Sequence, residues 1–431
     1  MLQVTYIPVG ELKPSPHNAR THSKRQLQQI AKSIKQFGFL IPILADENNV
    51  VIAGHGRLEA ALQLKMKDVP VVRSAGLTDA QKRLFMLADN KIASNAGWNR
   101  EQLAIEFSEL SGLLKFENLE IELSGFATAE VDQILVDHLE SPATAEDAFE
   151  EPRGKPVSRS GDLWLLGQHR LLCGNARSPE AADRLMGGEL ASMVFADPPY
   201  NVAVRRVVGR GRTKHREFEE ASGEQTEAEF TQFLNTTLGN ASRVSTADAL
   251  HFVCMDWRHC GELLSAAKSV YAEHVNTAVW VKTNAGMGSL YRSQHELIHI
   301  FRVGSDQHLN NVELGRYGRS RTNVWHYAGA TSFRAGRMDE LRTHPTVKPV
   351  GLVSDAMRDC TKLRQIVLDP FCGSGTTIIA AERVGRRGFG LEIDSLYVDT
   401  AVRRWEELTG KDAVLCGSNS TFTEVRNARK R

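Results

Sequence analysis

The 431-residue chain is poor in cysteine, and the placement of its six thiols excludes two classes at once. Cys173, Cys254, Cys260, Cys360, Cys372 and Cys416 include no Cys-x-x-Cys pair and no dense spacing. Neither a disulfide framework nor a zinc ribbon is therefore expected, and the thiols are expected to be reduced. No apolar run approaches the ~18 residues a membrane helix needs, and mean hydropathy is −0.30. The opening Met1-Leu-Gln-Val-Thr-Tyr6 lacks a basic region followed by an apolar stretch, so no signal peptide is expected and the chain is assigned to the cytoplasm. An excess of one charge is missing too. Lysine plus arginine number 53 against 52 acids, a formal net charge of +1, so any sign of nucleic acid must come from local patches. There is no internal repeat of the kind that builds solenoids. What is present is ordinary globular composition, 42% hydrophobic and 24% charged, which excludes a mostly disordered chain. At about 150 residues per domain, the length implies two or three domains.

The first 140 residues read as a small mixed α+β domain with a helical extension. Ser23-Lys-Arg-Gln26 is a capping box, followed by Leu27, Ile30, Ala31 and Ile34 at helical spacing and by Gly38 as a stop. Short strands are expected at Leu40–Leu44, Val50–Ala53 and Val69–Val72, with a helix at Leu58–Leu64. Thr78-Asp-Ala-Gln81 opens a capped helix to about Asp89, and helical patterns continue from Glu101 to about Leu139. Residues 141–156, rich in Pro, Ala and acids, read as an exposed linker. From 157 to 416, strands at Asp162–Leu166, His169–Cys173, Ala191–Ala196, Ile366–Asp369 and Gly388–Ile393 accompany helices at Pro179–Met186 and Thr376–Val384. That rhythm predicts an α/β, doubly wound parallel sheet. Residues 417–431 are expected to be a polar, frayed tail.

Two segments of this second domain carry chemistry. Asp369-Pro-Phe-Cys-Gly-Ser-Gly375 lies between a strand and a helix, where glycines let the backbone approach a ligand closely. Glu392 ends the next strand 23 positions later, near the offset at which an acid binds ribose hydroxyls in nucleotide-type folds. Asp197-Pro-Pro-Tyr200 follows the apolar strand Ser192–Phe195, at the edge where open α/β sheets bind ligands. Asp197 and the Pro198 carbonyl can accept hydrogen bonds from an exocyclic amine, Pro198 and Pro199 stiffen the turn, and Tyr200 can stack on a planar base.

Together with His344-Pro-Thr-Val-Lys-Pro349, these segments resemble the DNA amino-methyltransferases, which move a methyl group from S-adenosylmethionine to N6 of adenine or N4 of cytosine. The order of segments, catalytic tetrapeptide first and cofactor loop last, resembles the permuted β group. The resemblance implies the S-adenosylmethionine-dependent sheet and a target-recognition region over about 201–343. It implies that Asp369, Phe371, Gly373 and Gly375 line the methionine end of the cofactor. Glu392 would hold its ribose, Thr346 and Lys348 would brace it, and Asn175 in Cys173-Gly-Asn-Ala176 would lie near its adenine, where the family usually has Asp. Asp197-Pro-Pro-Tyr200 would be catalytic, in the form usual for adenine enzymes, whereas Ser-Pro-Pro-Tyr is commoner for cytosine. The expected function is adenine-N6 methylation of DNA. The alternatives are cytosine-N4 methylation or a non-catalytic partition-type DNA-binding protein.

Between Tyr200 and His344 lies Arg205-Arg-Val-Val-Gly-Arg-Gly-Arg-Thr-Lys-His-Arg216, with six Lys or Arg and no acid; six acids follow by Glu229 and mask it in the net charge. Beside a base-modifying site, Arg205, Arg206, Arg210 and Arg212 read as phosphate contacts; the other reading is a solvated loop balanced by its acidic neighbour. His251, Cys254, His259 and Cys260 do not have metal-ligand spacing, and no metal is expected. In the first domain, Ile52-Ala-Gly-His-Gly-Arg-Leu-Glu59 sets glycines and basic groups between a strand and a helix, a pattern suited to an anion. With Leu12–Arg20 and Leu87–Lys91 it resembles the ParB-like N-terminal domain, which implies Gly54 and Arg57 as phosphate or nucleotide contacts. No downstream helix-turn-helix is evident in the pattern. The expected partners are double-stranded DNA, a nucleotide at the first domain and a second copy of the chain, with no membrane.

Overall fold

The computed structural model describes residues 3–138 except 115, 116 and 118, residues 154–283 except 203–222, and residues 285–430 except 286–289, 313, 314, 316–319 and 329–347. The chain divides into two compact units, Met1–Ala127 and Thr128–Arg431.

In the first unit, strands β1 (Val4–Pro8), β2 (Ile43–Ala45), β3 (Val51–Ala53) and β4 (Asp68–Arg73) form one sheet in the order β1-β4-β2-β3. Helices α1 (Lys24–Phe37), α2 (His55–Gln63), α3 (Asp79–Asn95) and α4 (Arg100–Leu113) accompany it. Its core is Ile7, Leu12, Ile43, Val51, Leu58, Val69 and Val71. Ser23 caps α1 by accepting from the Gln26 amide, but the Gln26 side chain bonds His22 instead of closing the box. Thr78 and Gln81 do close a full capping box, and α3 runs past Asp89 to Asn95.

The second unit starts earlier than the expected boundary at 140. Helix α5 (Thr128–His138) belongs to it, and the reason is one buried ion pair. Both carboxylate oxygens of Asp132 accept from Arg386, at 2.7 and 2.8 Å, and both side chains are shielded from solvent. Arg386 also donates to the Val384 and Thr361 carbonyls. Of the linker expected at 141–156, residues 141–153 lie outside the described residues.

The large sheet comprises β5 (Leu163–Leu166), β6 (His169–Cys173), β7 (Ala191–Ala196), β8 (Ser245–Met255), β9 (Glu273–Val281), β10 (His295–Arg302), β11 (Val324–His326), β12 (Ile366–Asp369), β13 (Arg387–Glu392), β14 (Val414–Leu415) and β15 (Ser420–Thr421). The order is β11-β9-β10-β8-β7-β12-β13-β6-β5-β14-β15. The central run β8-β7-β12-β13-β6 is parallel, as the βα rhythm predicts. Flanking strands β10, β5 and β14 are antiparallel to their neighbours, so the whole sheet is mixed. Its residues alternate between two cores, as a sheet covered on both faces requires. Leu171, Met193 and Phe195 face a core shared with helices α9 (Val350–Cys360), α10 (Thr376–Arg383) and α11 (Ser395–Thr409). Leu172, Val194 and Leu368 face one shared with α6 (Pro179–Met186), α7 (Glu227–Arg243) and α8 (Cys260–Val270).

The expected frayed tail is instead ordered. Thr421 and Glu424 close a capping box on α12 (Phe422–Arg429), Phe422 is buried edge-on to Trp164, and Arg429 pairs with Asp162. An aromatic anchor and a cap outweigh the polarity of the segment.

Candidate active site

Strands β7 and β12 are neighbours, and the sheet is wound outward in both directions from between them. That is the switch point at which doubly wound sheets open a crevice at the carboxyl ends of their strands. Asp197 follows β7 and Asp369 ends β12, so the two sequence segments meet there.

On the β7 side, the Tyr200 hydroxyl donates to Asp197 Oδ1 at 2.6 Å, and Lys348 Nζ donates to Asp197 Oδ2 at 2.6 Å. Lys348 also pairs with Glu296 Oε2 at 3.0 Å and lies 5.6 Å from the Tyr200 ring centre and 5.8 Å from that of Trp280. Glu296 in turn pairs with Lys282. Two carboxylates and two ammonium groups thus alternate, and the two carboxylates titrate apart. Burial raises the Asp197 carboxyl against the pull of Lys348. Burial acts on Glu296 too, but Lys348 and Lys282 overcome it and hold that group at about 2. Burial also works against the charge on Lys348, yet Asp197 and Glu296 keep its ammonium well above its usual range. Lys348, expected to brace the cofactor, is therefore tied to the tetrapeptide. Glu296, Lys282 and Asn201 escaped the sequence reading. The visible signal for Glu296 was an acid in register with Ile298 and Ile300, both buried, on strand β10. Asn201, at φ 53°, bonds Gly223 and Gln225 and fastens together the two ends of segment 203–222.

On the β12 side, Asp369 accepts from the Phe371 amide at 2.9 Å and from the Thr377 hydroxyl at 2.5 Å. Glu392 accepts from the Gly373 amide at 2.7 Å and the Asp394 amide at 2.8 Å. Burial raises both acids to about 7. Gly373 has φ 51°, and a Cβ there would meet only the Phe371 carbonyl oxygen, at 4.0 Å, whereas a Cβ on Gly375 would strike Ala401 Cβ at 2.7 Å. Gly375 thus secures loop-to-helix packing, and Gly373 borders the cradle. Phe371 packs against Phe233, and buried Cys372 packs over Gly390. Asn175 follows β6 beside Glu392, its Oδ1 accepting from the Arg177 amide. His251 is bonded to Ser245 and Tyr271. Thr346, Arg205, Arg206, Arg210 and Arg212 lie outside the described residues.

In the first unit, Gly54 at φ 100° precedes α2, and the Arg57 guanidinium folds back over it, 2.9 Å from where a Cβ would sit. Arg57 donates to the Pro42 carbonyl, and its buried Nε has no partner among the described residues. His55 accepts from the Ser15 amide, and burial beside His22 keeps its imidazole below the usual range.

Three family models match the chain: DNA methylase over residues 191–403, ParB N-terminal domain over 1–91 and ParB-methyltransferase HTH domain over 101–160. The chain belongs to the N6/N4 DNA methylase family. The HTH match corrects the expectation that no helix-turn-helix follows the first domain. Its span includes α4 and α5. YnaK of Escherichia coli strain K12, a ParB-like nuclease domain-containing protein, is 55% identical over 82 residues, 19% of this chain and 94% of YnaK. YubD of the same strain, named as a methylase, is 28% identical over 210 residues, 49% of this chain and 79% of YubD. The solved structure of TTHA0409 of Thermus thermophilus, a DNA modification methylase by name, holds S-adenosyl-L-methionine. It has TM-score 0.39 and 21% identity, and the match covers 56% of this chain and 93% of that one.

The methylase's cofactor is S-adenosylmethionine, and the β12 side suits it. Buried Asp369 and half-buried Glu392, with no cation paired to them among the described residues, match a ligand carrying an ammonium group, a sulfonium and ribose hydroxyls. Among the described residues no helix is long and apolar enough to cross a membrane.

Proposed function

We propose that this methylase modifies N6 of adenine in DNA. The observation that carries the reading is Asp, rather than Ser, at the head of Asp197-Pro-Pro-Tyr200, with its carboxylate held between the Tyr200 hydroxyl and Lys348. When bound, S-adenosylmethionine supplies the electrophilic methyl group; Asp369, Gly373 and Glu392 hold it, with Phe371 and Asn175 alongside. An amine inside a duplex is out of reach, so the base must leave the stack and enter the crevice. There Asp197 and the Pro198 carbonyl accept hydrogen bonds from the amine and favour pyramidal geometry at its nitrogen. The Tyr200 ring stacks on the base, and Lys348 keeps Asp197 oriented. The amine sheds one proton after substitution, and Asp197, whose affinity for protons burial has raised, can take it. Arg205, Arg206, Arg210 and Arg212 supply phosphate contacts. The test is methylation of mixed genomic DNA with labelled S-adenosylmethionine and nucleoside analysis. N6-methyladenine is expected; N4-methylcytosine as the only product overturns the base assignment, and no label in any DNA overturns the activity.

A second reading concerns the first unit, where Gly54 and Arg57 bind a phosphate group of a nucleotide. It is supported by the buried Nε of Arg57, unpartnered among the described residues, at the start of α2, where helix amides also favour an anion. Calorimetric titration with nucleoside triphosphates should show binding that Arg57→Ala abolishes. Equal binding by the variant overturns it.

A further inference from the structure

Strand order and direction place three exposed apolar residues at the sheet edge that carries Asp197. Strand β8 runs parallel to β7, so Trp257, two residues beyond its end, projects from that same edge. Strand β10 is antiparallel to β8, with Leu297 opposite Met255, so the residues preceding His295 lie at that edge as well. The pairing of β9 with β10 extends one rung further, through the Lys282 amide and the Gln294 carbonyl. Leu290 and Tyr291 stand beyond it. They are 83% exposed and Trp257 is 54% exposed, the three highest values among the large apolar residues described in this unit. Exposed apolar surface gathered at one place marks an interaction site.

The Trp257 ring is also held in position. Asp256 accepts from the Arg258 amide and pairs through both oxygens with the Arg258 guanidinium, each at 3.0 Å. That guanidinium lies 4.9 Å from the Trp257 ring centre. A clamp of this kind keeps an aromatic ring presented to solvent and lowers the entropy lost when something stacks on it. The occupant implied is the DNA that the crevice modifies. Extruding a base opens a gap in the stack and strips its neighbours of contact, and planar or apolar side chains beside the crevice can restore that contact. Charge complementarity agrees: the chain leaves this edge at Asn201 and returns at Gly223, and the sequence places six Lys or Arg against three Glu between them.

We propose that Trp257, together with Leu290 and Tyr291, is a stacking surface for DNA bases next to the extruded nucleotide. This inference rests on the methyl-transfer reading of the same site. It is tested with the full chain, by anisotropy of a labelled duplex pool and by kcat and KM for genomic DNA, with S-adenosylmethionine titration as control. Trp257→Ala should weaken DNA affinity and raise KM by about 5- to 100-fold. Cofactor affinity and the salt slope should not change, and Trp257→Phe should recover most of the loss. The double variant Leu290→Ala/Tyr291→Ala should fall in the same direction. If Trp257→Ala and the double variant both stay within about twofold of wild type, the surface is not a DNA contact. A wild-type chain that binds DNA without methylating it defeats the methyl-transfer reading, while the affinity comparison still decides the stacking surface. A chain that does not bind DNA overturns both.

Discussion

The two halves of the crevice handle their carboxylates in opposite ways. On the β7 side, Asp197 and Glu296 are neutralised from within by Lys348 and Lys282. On the β12 side, the partners of Asp369 and Glu392 among the described residues are amides and a hydroxyl, and burial drives both acids to about 7. A buried charge without a partner is costly, so such a pair persists where a ligand will complete it. The lesson is a division of labour. The β7 half is pre-organised and complete in its charges, as befits a site for a neutral amine. The β12 half is left short of positive charge, as befits a site for a cationic cofactor.

The largest effect should come from the β7 half. Asp197→Ala should lower kcat by about 10²- to 10⁴-fold, while cofactor affinity, read by calorimetry, stays close to wild type because the cofactor acids are untouched. Retention of near-native turnover would remove the aspartate from the chemistry.

Next in size is a test of where the unit containing both halves begins. A chain starting at Thr128 should fold and bind S-adenosylmethionine. One starting at Val157 loses α5 and with it the carboxylate partner of Arg386. It should be less stable by about 3–5 kcal/mol in denaturant unfolding. Equal stability of the two would make α5 dispensable.

Glu392→Ala strikes the β12 half. It should weaken cofactor affinity by about 10- to 100-fold, with kcat at saturating cofactor much less affected than in Asp197→Ala. If the two variants showed the same profile, the proposed division would fail.

A smaller, graded effect is expected from pH. Asp369 and Glu392 ionise later in the folded chain than in the unfolded one. Below about pH 4 both states hold these protons; between about 4 and about 7 only the fold keeps them, so stability without cofactor falls across that window. Cofactor binding favours the ionised forms, so affinity should rise from about pH 6 to about pH 8 by at most tenfold per unit for each proton released. Calorimetry in buffers of different ionisation enthalpy measures that release, and none at about pH 6 would sink the assignment.

The mildest change should follow neutralisation of Arg205, Arg206, Arg210 and Arg212. It should weaken affinity across all duplexes and flatten its salt dependence by about one unit of log–log slope per lost phosphate contact. An unchanged slope restores the solvated-loop reading.

Much of this was legible in the sequence, because the relevant signals are local. The βα rhythm gave the central parallel strands, and a glycine turn followed by an acid one strand later marked the β12 half. Asp197-Pro-Pro-Tyr200 marked the other half through an unusual run of side chains at the end of an apolar strand. The ordered tail was misread because polarity counted for more there than one aromatic anchor, Phe422. The boundary at 140 was misplaced because composition changes after α5, while the buried pair that fixes α5 joins residues 254 positions apart.

What the sequence by itself determined was which residue types stand at the end of which strand, since the local backbone pattern decides that. Only the tertiary structure decided which charges meet. Lys348, 151 positions from Asp197, and Glu296, on an antiparallel strand two places away in the sheet, converge through strand order and register, which no local pattern encodes. Proton affinity was decided the same way: ammonium groups overcome burial and hold Glu296 at about 2, whereas at Glu392 burial outweighs the Gly373 and Asp394 amides and lifts the same kind of group to about 7.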